Sequence, residues 1–528
     1  MSTQKKNTTK KSKVYHAIIA PWRGMSKKEL IRIISFFLVF STISVVFVAR
    51  SGFPSKKLIV VSLLISVLLT VILVYAQFRK LALEKIFLIL AIPLGMLYFF
   101  LIPVGRVPDE MNHFYRAYEI SNGNFVSTHD EEHGSGNDYS VKVGSVIFEE
   151  DRSYDDVARA LDIKEADTDD EKFVTYPNTS IYAPTCYFPQ SLGMMIGNIF
   201  HTPILMKAYI GRLFNFATWV ILVFFGIKKS PILKKVMLFV SLLPITLQQA
   251  ASLSPDAINY GVAILLIGLV LYYAYSFKGK IRIKDWVVIS VLCVVLSMCK
   301  YIYAPICLLL FLIPVEKFGD KKKKLKYIGF LALGIIALIG IWYLITRNLF
   351  VDKPGVDAVE QMKYILANPF RIIAAIINTF FSTGQLIVGG LFGGYLEWFT
   401  IQAPFLTVIA TIVVFCVLVY NYRRSSIPAN LKRLSVFIIL SIVGISFIIE
   451  YLKWTPVGLG YVDGIQGRYY LPILFMVPFL FMIPDKKRKT LDVLTEKEDS
   501  NSHITLYQFI LVVNVIALQA IFIHHITF

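Results

Sequence analysis

The chain has few cysteines and fewer acidic than basic residues. Only five cysteines occur among 528 residues, and four of them lie in apolar runs (Cys293, Cys299, Cys307 and Cys416), which excludes a disulfide framework. No paired-cysteine metal motif is present either. Hydrophobic residues make up 56% of the chain and the mean hydropathy is +0.63, so no large soluble domain is available. The composition indicates a polytopic membrane protein.

Apolar runs long enough to cross a bilayer recur along most of the chain. A span needs roughly 18 to 22 apolar residues, and about thirteen runs approach that length. The sequence therefore predicts an all-α polytopic membrane protein with these spans: 31–49, 58–77, 86–104, 204–227, 236–253, 257–277, 286–299, 301–314, 327–346, 400–420, 434–451, 469–483 and 504–526.

The positions of the basic residues along the chain favour a membrane over nucleic acid as the partner. The net charge is +19, yet the lysines and arginines cluster in alternate loops: the tail before Ile31, 79–80, 228–235, 278–284, 321–324, 423–433 and 486–489. Under the positive-inside rule these clusters are cytoplasmic. Because the number of predicted spans is odd, the start of the chain is predicted inside and its end outside.

This topology divides the chain into four parts. They are a basic cytoplasmic tail (1–30), N-terminal transmembrane helices (31–104), an extracytoplasmic loop with juxtamembrane helices (105–203), and further transmembrane helices with outer loops at 347–399 and 451–468 (204–528). The first apolar run follows a long basic tail and lacks a small-residue cleavage site, so it is predicted to be a retained anchor.

The segment 106–119 carries a compact group of charges directly after a predicted span. A proline precedes Asp109 and Glu110, which places both acids in the first turn of a helix, where the positive helix end favours anions. A helical period puts Asp109, His113 and Arg116 on one face. The residues fit a capped surface helix and equally a site that meets membrane-held substrate.

Further polar clusters lie at predicted outer ends of spans. They are the aromatic and proline-rich stretch 182–190 with Tyr182 and Gln190, the turn 252–261 with Asp256 and Asn259, the lone cation Lys300, and the glycine-rich turn 455–470 with Gln466 and Arg468. An interfacial aromatic belt, helix capping and a flexible hairpin are the structural alternatives. Arg212 lies inside a span near its outer end, and a membrane-embedded arginine is costly, so it is a site candidate.

Together these clusters gather carboxylates and cations on one side of the membrane. A carboxylate can take a proton from an attacking hydroxyl, while guanidinium and ammonium groups stabilise a leaving phosphate. These carboxylates and cations predict an anionic lipid substrate and an acid/base step.

Four of these stretches also resemble a known family. Residues 108–118, 182–190, 254–259 and 466–472 look like the marks of a bacterial membrane family catalogued as domain of unknown function 2142. That family is itself similar to the GT-C glycosyltransferases, which include protein mannosyltransferases and aminoarabinose transferases. In those enzymes an Asp-Glu pair opens the first large outer loop, and the matching residues here are Asp109 and Glu110.

The resemblance and the clusters together suggest a role for each residue. Asp109 is predicted to be the base, with Glu110 orienting it or holding a divalent cation; whether Mg²⁺ or Mn²⁺ is needed stays open, because relatives of this type differ. Arg116, Arg212, Lys300 and Arg468 are predicted to contact the donor phosphate. The remaining predicted cavity residues are His113, Tyr182, Gln190, Asp256, Asn259 and Gln466.

The leading hypothesis is an inverting membrane glycosyltransferase. It would move a sugar from a polyprenyl-phosphate donor to a cell-envelope glycan or related acceptor, at the outer face of the bacterial plasma membrane. Its expected partners are the lipid-linked donor, a glycan or lipid acceptor and membrane lipids, with no nucleic acid. The alternative is a transporter or flippase of lipid-linked sugars, although midplane ionisable groups and inverted repeats, which are typical of transporters, are not clear here. A scaffold role would leave Asp109 replaceable.

Overall fold

The computed structural model describes residues 27–50, 56–78, 81–146, 152–164, 170–350, 353–487, 491 and 500–527. Most of the predicted basic tail, residues 1–26, therefore lies outside the described residues. Within them the chain is mostly helical. It begins with three long helices, α1 (Lys27–Arg50), α2 (Lys56–Phe78) and α3 (Leu83–Leu101).

The segment between α3 and the next long helix contains short helices and a small sheet. Its elements are α4 (Glu110–Ser121), β1 (Thr128–Asp130), β2 (Gly134–Ser140), α5 (Val141–Val146), α6 (Tyr154–Ala160), β3 (Glu171–Thr175), α7 (Pro177–Ser180), a 3-10 turn (Pro184–Cys186) and α8 (Phe188–Ile199). Strands β1, β2 and β3 pair antiparallel in that order, with Asp138 opposite Phe173. The all-α prediction was therefore wrong for this segment.

Six further helices and three 3-10 segments follow. They are α9 (Ile204–Lys229), α10 (Lys234–Ser241), α11 (Pro244–Ala250), α12 (Asp256–Tyr275), α13 (Ile283–Cys299), 3-10 segments Tyr301–Leu312 and Val315–Lys317, α14 (Lys321–Thr346) and a 3-10 turn Arg347–Leu349.

The last third of the chain begins with a bent helix pair. Its elements are α15 (Ala358–Ala367), α16 (Phe370–Ser382), α17 (Gly384–Leu391), β4 (Tyr395–Leu396), β5 (Ile401–Gln402), α18 (Phe405–Asn421), β6 (Ser426–Pro428), α19 (Ala429–Lys453), a 3-10 helix (Gly467–Tyr470), α20 (Leu471–Leu474), α21 (Pro478–Phe481), β7 (Ile483–Asp485) and α22 (Ser500–Thr527). Strands β4 and β5 pair antiparallel, and β6 pairs with β7 in parallel.

Among the described residues, six helices are long and apolar enough to cross a membrane: Leu83–Leu101, Ile204–Lys229, Asp256–Tyr275, Lys321–Leu349, Ala429–Lys453 and Thr505–Ile526. A seventh span results if α15 and α16, which are bent by 108° at their junction, are one broken span. The protein is thus a multi-pass membrane protein, but the prediction of about thirteen spans was wrong.

Proline explains why two of the predicted spans are not continuous α-helices. The apolar run 236–253 is divided into α10 and α11, and α11 begins at Pro244. The run 301–314 forms a 3-10 helix that contains Pro305. Proline lacks a backbone N–H and its ring obstructs the preceding turn, so a continuous α-helix is interrupted there.

Other apolar runs form shorter helices, which are not among the six. The run 469–483 contains only the four-residue helices α20 and α21, each with proline at its start. Helices α13 and α18 have 17 residues each. Helices α1 and α2 cover the first two predicted spans, but many of their side chains lie outside the described residues and neither is among the six.

Helix α12 lies at the centre of the bundle, with 89% of its spanning window buried. Helix α9 packs along it at a glycine contact, where a Cβ atom on Gly268 would lie only 2.6 Å from the carbonyl oxygen of Gly226. Small residues at such contacts let two helix backbones approach closely. This packing fixes the position of Arg212 in α9 relative to Asp256 at the start of α12.

Helix direction places the predicted site residues at one end of the bundle. Asp109 follows the end of α3, Asp256 begins α12, Lys300 follows the end of α13, and Arg468 follows α19. Lysines lie at the opposite end of the bundle, as at the end of α9 and the start of α14. The predicted outer residues are therefore separated from the basic clusters by the length of the spans.

Candidate functional site

The turn before α4 holds Asp109 in an unusual backbone conformation. Its φ and ψ angles are 63° and 7°, in the left-handed region. Aspartate and asparagine enter this region more readily than other residues with a side chain, because a short polar side chain can hydrogen-bond locally. The conformation separates Asp109 from Glu110, since the two adjacent carboxylates form ion pairs with different arginines.

Arg468 joins the last polar turn of the chain to the first. Its guanidinium donates to the carboxylate of Asp109 and, from Nη1, to the carbonyl oxygen of Pro108 at 3.1 Å. Its Nε lies 3.8 Å from a carboxylate oxygen of Asp256. Gly467 permits this placement, because a Cβ atom there would lie 2.1 Å from the carbonyl oxygen of Ile387 in α17.

Lys300 completes the group from the end of α13. Its Nζ lies 2.6 Å from Asp256 Oδ1 and 4.6 Å from the centre of the Tyr469 ring. We call Asp109, Asp256, Lys300 and Arg468 the charged cluster. Sequence separations of up to 359 residues are closed here, so the structure brings these four predicted residues together.

The side chains of the charged cluster are mostly buried, but that of Asp109 is partly exposed to solvent. The side chain of Asp109 is 26% exposed, whereas those of Asp256 and Arg468 are 11% and 5% exposed. Burial alone would raise the pKa of Asp109, but Arg468, His113 and Lys300 lower it below its ordinary value. Asp109 is therefore an ionised carboxylate that reaches the surface, which is the property a ligand-facing acid needs.

A small cavity lies behind Asp256 and Arg468. Its volume is about 10 Å³, which is room for about one water molecule. Gln249 lines it, and both amide atoms of this buried side chain have no hydrogen-bond partner among the described residues. Sequence reasoning missed Gln249; a polar pair in an otherwise apolar run, Gln248 and Gln249, was the available signal.

His113 lies one turn into α4 among aromatic rings. Its Nδ1 lies 2.8 Å from the hydroxyl of Tyr187, and its ring stacks at 6.4 Å on Tyr182. Burial lowers the pKa of His113 to about 4, against the attraction of Asp109 and Asp256. The imidazole is therefore neutral at physiological pH and acts as a hydrogen-bonding group at the edge of the charged cluster.

The depressed pKa of His113 predicts an acid-sensitive step in stability. Between about pH 6.5 and pH 4 the unfolded chain binds a proton that folded His113 excludes, so stability falls as the pH drops through that window. Wild type should lose about 2 kcal/mol more than His113→Gln between about pH 7 and pH 5. Thermal unfolding in detergent at both pH values measures this, and equal losses in the two proteins would contradict it.

Glu110 and Arg212 form a second, separate ion pair. Arg212 donates from Nε and Nη2 to the two Glu110 oxygens at 2.7 and 2.6 Å, and both side chains are fully buried. The remaining Arg212 donors bind the backbone carbonyl oxygens of Ile102 and Pro103 at 2.7 and 3.0 Å. Glu110 Oε1 also accepts from the amide of Leu253 at 3.0 Å.

The two residues were predicted to have other roles: Arg212 was predicted to contact the donor phosphate, and Glu110 was predicted to orient Asp109 or to hold a divalent cation. The guanidinium of Arg212 is enclosed by the protein, and Glu110 pairs with it instead of orienting Asp109. The pair ties the loop after α3 to α9 and to the turn before α12. We therefore assign Glu110 and Arg212 a structural role, which meets the requirement that a membrane-embedded arginine have a partner.

Arg116 is also placed differently from its prediction. It lies in α4, fully buried, and forms an ion pair with Glu119. Its other donors bind the carbonyl oxygens of Phe125 and Tyr182, at 2.8 and 3.0 Å from Nη2. Arg116 thereby connects α4 to the turn that carries Tyr182 and holds no position in the charged cluster.

Four further residues were predicted to line the site: Tyr182, Gln190, Asn259 and Gln466. Tyr182 stacks beside His113, and Gln190 Nε2 donates to the carbonyl oxygen of Leu253 at 3.2 Å. Asn259 is buried in α12, and neither of its amide atoms has a hydrogen-bond partner among the described residues. Gln466 precedes Gly467 and the 3-10 helix that carries Arg468.

Two acidic residues near the site escaped the sequence analysis. Glu450, near the end of α19, is close enough to influence Lys300 and Asp109 electrostatically, and a Cβ atom on Gly464 would lie 2.9 Å from its Oε2. Glu397 is fully buried between Arg106 Nε at 3.1 Å and His525 Nε2 at 2.6 Å. An acid inside a long apolar run was the signal at Glu450; nothing local distinguished Glu397.

The side chains at the site give little support to the predicted divalent cation. Glu110, one of its two predicted ligands, is enclosed by Arg212. Throughout the described ranges, no group of three or more His, Cys, Asp or Glu side chains is arranged to hold a metal ion. The two carboxylates that do converge, Asp109 and Asp256, share Arg468 as their counter-ion.

Fold and site together define a multi-pass membrane protein with a charged cluster at one end of its helix bundle. The chain matches the profile of a family described as "predicted membrane protein (DUF2142)" over residues 93–477, and it belongs to that family. The resemblance drawn from the four sequence stretches is thus confirmed. Comparisons with curated proteins and with solved structures found no match.

Proposed function

We propose that this protein is a GT-C-like membrane glycosyltransferase that moves a sugar from a polyprenyl-phosphate donor to a cell-envelope glycan or related acceptor. The observation that carries the proposal is the charged cluster: a partly exposed, ionised Asp109 beside two cations at the end of a helix bundle. The reaction would take place at the outer face of a bacterial plasma membrane, with the basic ends of the helices and the start of the chain in the cytoplasm.

Arg468 and Lys300 are the cations suited to the donor phosphate. Arg468 offers a planar fork that matches two phosphate oxygens, and its Nε donates no hydrogen bond among the described residues. Lys300 adds a compact positive charge 2.6 Å from Asp256. Both would stabilise the charge that develops on the phosphate as it leaves. Arg116 and Arg212, which are enclosed elsewhere, are removed from the set of proposed phosphate contacts.

Asp109 is the proposed base. The acceptor hydroxyl oxygen attacks the anomeric carbon, its proton passes to Asp109, and the bond from that carbon to the phosphate oxygen breaks. The electron pair stays with polyprenyl phosphate, and the configuration at the sugar is inverted.

Donor binding would also change the basicity of Asp109. While Arg468 pairs with Asp109, the pKa of that carboxyl is held down, and such a carboxylate is a weak base. A phosphate that draws Arg468 away would weaken the pairing and raise the basicity of Asp109. Proton transfer would then be favoured only after the donor is in place.

The surroundings of the cluster suit a lipid-linked substrate. Helices α15 and α16 are attached to the turn that leads to Arg468: Gly458 donates to Gln361 Oε1, and Asn378 Nδ2 donates to the Gly460 carbonyl oxygen, both at 2.9 Å. Phe370 and Phe381 in α16 are 77% and 87% exposed. We propose that α16 lies at the membrane interface, as amphipathic helices do, instead of forming half of a span, and that it presents an apolar surface to a polyprenyl chain.

The direct test is transfer by the purified protein in lipid nanodiscs, with a panel of radiolabelled polyprenyl-phosphate sugars and an envelope-glycan extract as acceptor. Wild type should release polyprenyl phosphate and label the acceptor, while Arg468→Ala should use the donor less well. Failure of wild type to transfer from any such donor, together with movement of the donor between leaflets, would replace the proposal by a transporter or flippase of lipid-linked sugars.

A further inference from the structure

A groove runs between α13 and α14, and its mouth lies at the lysine-rich end of the bundle, opposite to the charged cluster. Its volume is about 590 Å³. Trp286 and Val294 line it from α13, and Phe330, Gly334 and Leu338 line it from α14. Helix α14 is otherwise little covered, with only 11% of its spanning window buried, so this groove faces the lipid phase along its length.

The mouth of the groove is cationic. Lys323 and Lys326 line it, and their three-residue spacing places them on the same face of α14 as the apolar lining. Lys324 points elsewhere, since it donates to the carbonyl oxygens of Phe311 and Ile313 at 2.9 and 2.6 Å. The neighbouring Asp320 carboxylate caps α14 by accepting from the Lys323 amide at 2.7 Å.

The dimensions fit one leaflet of a bilayer. From Lys323 to Leu338 the helix rises by about 22 Å, whereas half of the hydrocarbon core is roughly 15 Å thick. The remaining length accommodates a headgroup at the lysines. Gly334 leaves open space in the groove, because a Cβ atom there would have no other atom within 4 Å.

We infer that this groove binds an anionic phospholipid of the leaflet at the lysine-rich end, with its phosphate at Lys323 and Lys326 and an acyl chain along the apolar lining. Two ammonium groups beside a hydrocarbon-lined cleft favour a negatively charged headgroup over a zwitterionic one, and basic pockets between transmembrane helices are suited to such lipids. The inference is independent of the proposed transferase activity.

The test is native mass spectrometry of the full-length protein in detergent, titrated with phosphatidylglycerol and with phosphatidylcholine of the same acyl chains. Wild type should bind phosphatidylglycerol more tightly. Lys323→Gln/Lys326→Gln should weaken that binding about tenfold, whereas Lys321→Gln/Lys322→Gln, which removes equal charge from residues that do not line the groove, should leave it nearly unchanged.

A second pair of variants tests the apolar part without altering charge. Gly334→Leu should fill the groove and weaken phosphatidylglycerol binding, while Gly340→Leu, at an exposed glycine with equally open surroundings, should not. Equal binding of the two lipids, equal loss in both lysine variants, or displacement of the lipid by inorganic phosphate alone would overturn the inference.

Discussion

Asp109→Asn should abolish sugar transfer while leaving the protein folded. Asparagine keeps the size of the side chain and tolerates the left-handed backbone conformation found at this position. It cannot accept the proton of the acceptor hydroxyl, and loss of a general base costs about 100-fold to 10,000-fold in rate. Initial rates with the donor identified in nanodiscs give the measurement, and expression level and thermal midpoint report on folding.

Two features make Asp109→Asn interpretable. Arg468 keeps Asp256 at 3.8 Å and the Pro108 carbonyl oxygen at 3.1 Å, so its charge is not left unpaired. Asp320→Asn is the matched control, because it makes the same chemical change at a helix cap far from the charged cluster. Transfer by Asp109→Asn at the wild-type rate would refute the assignment of the base.

Glu110→Gln should destabilise the protein strongly, although it changes the residue adjacent to Asp109. The substitution leaves the buried Arg212 guanidinium without its negative partner, and breaking a buried ion pair costs about 3–5 kcal/mol. The amide also places an N–H group where a carboxylate oxygen accepts from the amide of Gly105 or of Leu253, each at 3.0 Å. Low yield and a reduced thermal midpoint in detergent are expected.

A double-mutant cycle separates this structural role from a catalytic one. The cost of Glu110→Gln/Arg212→Met should be smaller than the sum of the two single costs by more than about 1 kcal/mol, because the two side chains share one interaction. A Glu110→Gln protein of normal stability that has lost only its activity would instead restore Glu110 as the residue that orients the base.

The sequence located the charged cluster correctly but did not separate its members from nearby structural residues. Charged and aromatic residues at the ends of apolar runs led to Asp109, Asp256, Lys300 and Arg468, since helices of alternating direction bring such ends together. The pairing of Glu110 with Arg212 could not be read from the sequence. It depends on the tertiary contact that brings the start of α4 against α9, 102 residues further along the chain.

The class of fold could be predicted from the sequence, but the number of spans could not. Composition and hydropathy indicated a helical multi-pass protein, and the segment between α3 and α9 was recognised as lying between spans. The count of spans failed in part because hydropathy counts apolar residues without regard to backbone continuity. Pro244 and Pro305 mark where two apolar runs cease to be single α-helices, and both prolines were visible in the sequence.

The central claim, that the charged cluster transfers sugar from a lipid phosphate, is tested most directly in a strain that lacks this protein. Its lipid-linked and surface glycans would be compared with those of the same strain carrying the wild-type gene or Asp109→Asn. We predict that deletion removes a sugar from a surface glycan and accumulates the polyprenyl-phosphate donor, that wild type reverses both changes, and that Asp109→Asn, although present in the membrane, reverses neither. Restoration of the glycan by Asp109→Asn to the wild-type level would contradict the account.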